Sequence, residues 1–327
     1  MAKITFLAYE GCFFSGISSL IDGFWIANAW HGAMCDTACG SLFETRIVTV
    51  DGKPVRAAGN VQILPDGAMA GEEPADVIVI PASPTVPQCS VPGMEAILEW
   101  LKRQHQRNIT LAATCTGAFV LAEAGLLDGR TATTNWQFAR QFKRRYPKVR
   151  LRMDRILTEE ENMVCTGAAS AVLNLGLHLI RRYGSEELAS VCAKALLVDP
   201  HRDRQTPYVI FSARQDHGDP EILQAQQYMH DQFGNAIAID DLARQVGISP
   251  RHFKRRFRKA TGESPLGYLQ NLRIEAAKKK LETTRENVNE ITYRIGYEDS
   301  STFRRLFKKH TGISPREYRD KFCGRQS

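Results

Sequence analysis

Apolar and polar positions divide the chain into two kinds of pattern. Up to about residue 124, short runs rich in β-branched residues alternate with stretches of helical period. The runs lie at 3–9, 43–50, 76–82 and 109–114, and the helical stretches include 15–30, 92–106 and 118–124. Short continuous apolar runs mark strands buried on both faces, and strands that alternate with helices build a parallel sheet. The pattern predicts a three-layer, flavodoxin-like α/β domain that receives ligands at the carboxyl ends of its strands. Its longest runs, 4–9 and 77–82, fall well short of the roughly 20 residues that span a bilayer. No transmembrane helix is expected. The first residues carry no secretory h-region with a cleavage site, so a cytoplasmic location is expected.

From residue 239 the period changes. Ile239, Leu242, Ala243 and Val246 share one helical face, Gly247 permits a tight turn, and Ser249 and Pro250 suit an N-cap and first helical position. Phe253, Arg256 and Phe257 then lie on one side, with Arg251, Lys254, Arg255 and Arg258 on another. The same unit recurs. Residues 253–268 and 303–318 match at nine of sixteen positions, among them Phe253/Phe303, Arg255/Arg305, Phe257/Phe307 and Gly262/Gly312. Upstream the offset drops from 50 to 49 residues, so Leu242 pairs with Ile291 and Gly247 with Gly296. In the second copy Val288, Ile291 and Ile295 form the packing stripe. Asp299 or Ser300 caps a helix that turns Ser301, Arg304, Arg305 and Lys308 outward. A long amphipathic helix, 266–281, joins the copies. The expectation is an all-α domain with two helix-turn-helix units.

Length and charge sharpen this division. At 327 residues the chain is long enough for two domains, and 43% apolar with 24% charged residues is the balance of a globular protein. Residues 219–327 hold 21 Lys and Arg against 14 Asp and Glu, so the whole net charge of +7 lies there and residues 1–218 are neutral. A basic module on a neutral body suits a nucleic-acid binder, whereas the bland alternative is a solvated charged face. The repeat favours the former, since a scaffold helix, a turn and a cationic helix form the unit that enters a major groove.

Residues 220–322 resemble the AraC/XylS family of transcription regulators. The resemblance rests on Asp241-Leu242-Ala243, Gly247, Phe253-Lys254-Arg255-Arg256-Phe257, Gly262-Glu263-Ser264-Pro265, Ile295-Gly296-Tyr297 and Gly312-Ile313-Ser314-Pro315. It implies that Arg251, Lys254, Arg255, Ser300, Ser301, Arg304 and Arg305 occupy positions that approach bases. Arg258 and Lys308 extend the two basic faces. The implied partner is double-stranded promoter DNA.

In the first domain the informative turn is Ala113-Thr114-Cys115-Thr116-Gly117-Ala118. A strand that ends in Cys and turns straight into a helix is a nucleophile-elbow arrangement, and the helix N–H groups are expected to lower the thiol pKa. A small buried core Cys is the plain alternative. The run 115–122 together with 124–130 and 132–136 resembles the glutamine-amidotransferase-like (DJ-1/PfpI-like) superfamily. More narrowly it resembles the branch fused to AraC-type domains, the GlxA-type regulators, over about 3–208. Departures bear on chemistry. Asn135 stands where the enzymes commonly carry His, Ala82-Ser83 replaces a glycine pair, and Gly16, Ile17 and Ser18 occupy the place of an acid. His31, His105 and His178 remain elsewhere in the domain, and any of them could approach in three dimensions. Without a base the elbow is expected to bind a ligand rather than catalyse, in a pocket formed by Cys12, Ala82, Ser83, Cys115, Thr116, Asn135 and Trp136.

The polar, proline-containing stretch 199–218 reads as a connection, giving domains at 1–208 and 220–327 with a linker at 209–219. Eight scattered cysteines lack the spacing of a disulfide scaffold and are expected mostly as buried or free thiols. Cys35 and Cys39 lie near His31, but no second pair follows at finger-like spacing, so no metal site is expected. No cofactor is expected either. The reading is a homodimeric transcription regulator, an activator that responds to a small metabolite. The competing reading is a thiol-dependent hydrolase or deglycase that uses Cys115, and oxidative sensing at that thiol stands behind both.

Overall fold

A computed structural model describes the chain apart from residues 36–38, 72–73, 88–90 and 325–327. It divides into two compact units, Met1–Gln205 and Thr206–Ser327. In the first unit the strands β1 (Ala2–Leu7), β2 (Phe43–Thr49), β3 (Gly67–Ala68), β4 (Val77–Ile80), β5 (Thr110–Thr114), β6 (Leu157–Glu160) and β7 (Met163–Thr166) form one sheet. Their spatial order is β6-β7-β5-β4-β1-β2-β3, and only β6 is antiparallel to its neighbour. The register sets Phe6 beside Val79 and Val79 beside Ala112, so the central strands are apolar on both faces. That double burial is why they read as continuous apolar runs. The hairpin of β6 and β7 is not predicted by the apolar pattern, because its turn is the polar run Glu159-Glu160-Glu161-Asn162.

Helices α1 (Phe14–Met34), α5 (Val172–Tyr183) and α6 (Glu186–Ala195) pack together, and α2 (Met94–Gln106) packs with α3 (Gly117–Glu123). A short helix α4 (Ala139–Arg145) follows a turn at Trp136–Phe138. One apolar core that includes Phe6, Leu7, Phe24, Phe119 and Phe142 unites the sheet and these helices. The cysteines mostly remain thiols: Cys12, Cys115, Cys165 and Cys192 are buried and Cys323 is partly exposed. Cys35 and Cys39, by contrast, are joined as a disulfide. Cys89 lies outside the described residues.

The second unit is wholly helical: α7 (Pro220–Gln232), α8 (Ile239–Gln245), α9 (Pro250–Thr261), α10 (Pro265–Thr283), α11 (Val288–Arg294), α12 (Ser300–Thr311) and α13 (Pro315–Phe322). Each copy of the repeat closes its own core. Leu242, Val246, Phe253 and Phe257 meet Tyr268 in the first, and Ile291, Ile295, Phe303 and Phe307 meet Tyr318 in the second. In both, two Phe rings one helical turn apart pack together, and the second of them, Phe257 or Phe307, sits edge-on to the Tyr of the following helix. Gly296 holds φ +85°, and a Cβ there would lie 2.9 Å from the carbonyl oxygens of Phe233 and Gly234, so the second turn needs a glycine. The stretch expected as a linker is docked rather than free. Phe211 stacks edge-on against Tyr268, the Arg214 carbonyl accepts from Gln226, and the Val209 carbonyl accepts from the buried Lys278 ammonium.

Candidate functional site

Two groups of residues qualify, one in each unit. In the α/β unit the buried strand β5 ends at Thr114 and Cys115 takes φ +51°, a left-handed value that is strained for a side chain of this kind. Three contacts hold it there. The Cys115 N–H donates to the Thr166 carbonyl at 2.9 Å, the Thr134 hydroxyl donates to the Cys115 carbonyl at 2.9 Å, and α3 starts hard against β4. A Cβ on Gly117 would stand 2.6 Å from the Ile80 carbonyl oxygen, so only glycine allows that approach.

The structure brings most of the expected pocket residues together. Asn135 and the Thr116 backbone hydrogen-bond the Cys115 thiol. The Thr116 hydroxyl donates to the Ser83 carbonyl at 2.9 Å and accepts the Ser83 N–H at 2.8 Å. Ala82 gives its carbonyl to the Phe13 N–H at 2.7 Å, which pins the start of α1 to the end of β4. Cys12 is fully buried beside Tyr9. Trp136 is half-buried in the turn after Asn135.

The electrostatics of the elbow differ from the sequence expectation. Burial pushes the Cys115 thiol pKa up, and the hydrogen bonds from Asn135 and Thr116 only partly offset it. The expected depression does not occur. A thiol that is 5% exposed loses the hydration of its anion, and this outweighs the dipole of a seven-residue helix. Burial raises Cys12 in the same way. The histidines lie elsewhere: His31 is in the last turn of α1, His105 is on α2, and His178 stands 3.2 Å from Glu159.

Three contributors lie outside the residues expected from sequence. Tyr9 donates its hydroxyl to the Pro81 carbonyl at 2.8 Å, and burial raises its pKa well above the ordinary phenol value. Its place at the end of the first apolar run is the available signal. Thr134 stands out in the sequence only as part of a motif. Gln205, in the polar stretch that reads as connection, is buried, and its amide donates to Thr133 Oγ1, the Thr134 carbonyl and the Arg155 carbonyl at 3.0–3.1 Å. Its side-chain oxygen accepts the Trp136 N–H at 3.3 Å. Nothing in the local sequence announces that role. A cavity of about 450 Å³ lined by Glu10, Gly11, Arg56, Ala57, Asn60, Val91 and Pro92 opens one residue from Cys12. None of the expected pocket residues lines it.

In the helical unit α9 exposes Arg251, Lys254, Arg255 and Arg258, and α12 exposes Ser301, Arg304, Arg305 and Lys308, while Ser300 is half-buried. The Lys254 ammonium is tied to Asp240 at 2.8 Å, and Arg304 donates to Asn289 at 3.2 Å. Among the described residues no carboxylate forms an ion pair with Arg251, Arg255, Arg258 or Arg305. Arg256 turns to the other side and binds Asp219 and Glu221, which fastens α9 to the start of α7. A cleft of about 630 Å³ beside α9 is lined by Arg214, His217, Asp219, His252, Arg255, Arg256, Lys259 and Ala260. Asp299 caps α12 by accepting the N–H groups of Ser301 and Thr302, and it also takes the Ser301 hydroxyl. Exposed, unpaired guanidinium groups on the outer face of a helix are suited to phosphate oxygens and guanine edges.

Comparison with known proteins agrees with this division. Residues 39–182 match the DJ-1/PfpI family, and residues 242–321 match a helix-turn-helix domain. Among curated proteins the chain is 25% identical over 317 residues to the HTH-type transcriptional regulator CdhR of Pseudomonas aeruginosa, covering 96% of this chain and 90% of that one. It is 27% identical over 221 residues to the HTH-type transcriptional regulator GlxA of Rhizobium meliloti, covering 65% of this chain and 67% of that one. A crystal structure of an AraC family transcriptional regulator from Pseudomonas putida superposes with a TM-score of 0.50 at 18% identity, over 60% of this chain and all of that one. That last likeness is one of fold.

Proposed function

This chain is a helix-turn-helix transcriptional regulator that joins a DJ-1/PfpI-type domain to an AraC-type DNA-binding domain, and on that premise we propose that it is a homodimeric activator switched by a small metabolite held in its N-terminal unit. DNA is read by α9 and α12, with Arg251, Lys254, Arg255, Arg258, Ser300, Ser301, Arg304, Arg305 and Lys308 at the interface. The observation that carries this reading is the repeated cationic helix: two outward faces of the same construction, each on its own core. One chain so built covers one operator half, and a second copy on the same face of the duplex covers the other. Trp25, 71% exposed on α1, supports a partner surface in the N-terminal unit.

On this reading the elbow senses and does not catalyse. Cys115, Thr116, Ser83, Ala82, Cys12, Asn135 and Trp136 shape the chamber. The Ser83 N–H, an obvious oxyanion donor, is already taken by Thr116, and the thiol faces an amide that cannot accept its proton.

The test is a salt titration of full-length protein on promoter DNA. Affinity should fall steeply as salt rises, because Lys and Arg that neutralise phosphates release condensed counterions. Binding that ignores both salt and the Arg255→Ala/Arg305→Ala double variant overturns the reading. Sedimentation of the full chain at micromolar concentration tests the dimer, and monomer alone refutes it.

A further inference from the structure

The last turn of α1 brings together three side chains that neither the elbow nor the DNA face uses. His31, Cys35 and Cys39 place an imidazole nitrogen and two sulfurs all within 4.8 Å of one another. His31 lies in the last turn of α1, Cys35 is the extended residue that ends the helix four positions on, and the Cys39 sulfur meets that of Cys35 at the same spot. We propose that these three residues bind zinc, or a cation of its class, whenever the Cys35–Cys39 bond is reduced.

Four observations point there. The donor set, two thiolates and an imidazole, is the soft and borderline set that zinc prefers over hard oxygen-binding cations. In a tetrahedral site with Zn–S about 2.3 Å and Zn–N about 2.0 Å, ligand atoms stand about 3.5–3.8 Å apart, so atoms within 4.8 Å reach a common ion by small side-chain rotations. The site lies at the carboxyl end of a 21-residue helix, where the aligned peptide dipoles favour positive charge. His31 is the sole basic residue in that last turn, so no Lys or Arg of the helix already supplies the charge.

The chemistry balances. Reduction of the disulfide takes two electrons and two protons from two low-molecular-weight thiols, which leave as their own disulfide. The cation then forms two metal–sulfur bonds and one metal–nitrogen bond, and the two thiols release two protons. Three protein ligands leave the fourth tetrahedral position to water. His31 and Cys35 are half-buried and Cys39 is exposed, so the ion stays in exchange with solvent. The two sulfurs cannot be a disulfide and a ligand pair at once, which makes occupancy depend on thiol redox state.

The experiment uses full-length protein, reduced with a phosphine, freed of metal by chelation, and titrated with cobalt(II) under anaerobic conditions. One cobalt per chain is expected, with a thiolate-to-metal charge-transfer band and the visible bands of a four-coordinate ion, both displaced by zinc. The charge-transfer band should be lost in the Cys35→Ser/Cys39→Ser variant and in wild type left oxidised. His31→Ala should keep the sulfur band but bind more weakly and lose the four-coordinate visible pattern. Reduced wild type that takes up no cobalt, with Cys35 and Cys39 then only a disulfide, overturns the proposal. So does an unchanged band in the double variant, which would assign the metal to other thiols. The oxidised and reduced wild types differ in no residue, so their comparison holds even if a variant folds poorly. Every readout is independent of DNA binding.

Discussion

The elbow of the N-terminal unit is built from groups that are buried, neutral and satisfied by one another, whereas α9 and α12 of the C-terminal unit carry charges that are exposed and largely unpaired. Cys115, Thr116, Ser83, Thr134 and Gln205 exchange hydrogen bonds among themselves and with the backbone. Arg251, Arg255, Arg258 and Arg305 meet no carboxylate among the described residues. The contrast shows why similar secondary structure supports unlike chemistry. A partner is recruited by groups left unsatisfied, and desolvation decides which groups those are. The α/β unit uses its polar atoms to fix a shape. The helical unit uses apolar atoms for shape and keeps its cations for a partner.

The strongest way to test that division is to remove an apolar member of each repeat. Phe257→Ala and Phe307→Ala each delete a fully buried ring from a separate core, and each should cost about 3–5 kcal/mol in denaturant unfolding. A loss below about 1 kcal/mol at either site would mean that the core there does not set the helix positions. Next in size is the reading of bases. Arg255→Ala should lose about 1–3 kcal/mol of discrimination at one operator position, measured by binding to a set of single-base operator variants. Equal weakening on every variant would make Arg255 a phosphate contact. Lys254→Ala should do less, since its ammonium is shared with Asp240.

Much of this architecture is legible in the chain because it is repetitive. The 50-residue offset between Phe253/Phe257 and Phe303/Phe307 exposes the duplicated unit, and the apolar, β-branched runs at 76–82 and 109–114 expose the central strands. What stays hidden depends on approach in space. The hairpin of β6 and β7 turns at three acidic residues, which suggest a loop. Gln205 sits in a polar, proline-flanked stretch and is drawn inside by Thr133, Thr134 and the Arg155 carbonyl. The thiol pKa moves opposite to its expected direction because the sequence shows the helix start but not the burial. The approach of His31 to Cys35 and Cys39 is likewise visible as spacing, yet three ligands without a fourth do not announce a metal site in a linear chain.

A smaller effect separates the two repeats from each other. Hydrogen bonds from Ser301 and Thr302 hold the Asp299 carboxyl well below the usual carboxylate range, whereas the Ser249 side chain makes no capping bond to α9. Asp299→Ala should lower the thermal midpoint by a few degrees and Ser249→Ala should leave it nearly unchanged. Because the folded pKa of Asp299 is depressed, its contribution is present above the unfolded carboxylate pKa of about 3.9 and disappears as pH falls through the lower folded value. The difference between the two variants should therefore vanish in strong acid. Persistence of the difference there would remove the carboxylate from the account.

The smallest expected effect is on DNA affinity at the elbow itself. Cys115→Ser keeps the size of the side chain and removes the thiol, and no charge is lost, because burial keeps that thiol protonated at neutral pH. Promoter affinity without effector should be unchanged, since the exposed cations proposed to meet phosphate lie in the other unit. Alkylation supplies the complementary measurement. The rate at Cys115, followed by mass spectrometry of the modified peptide, should rise with pH only above the ordinary thiol range, near about 8.5. A rate already at its plateau at neutral pH would mean a stabilised thiolate, and the strained φ of Cys115 would then belong to a working nucleophile. Turnover of an amide or aldehyde substrate that Cys115→Ser abolishes would lead to the same conclusion, and the satisfied elbow and the unsatisfied helices would no longer stand in contrast.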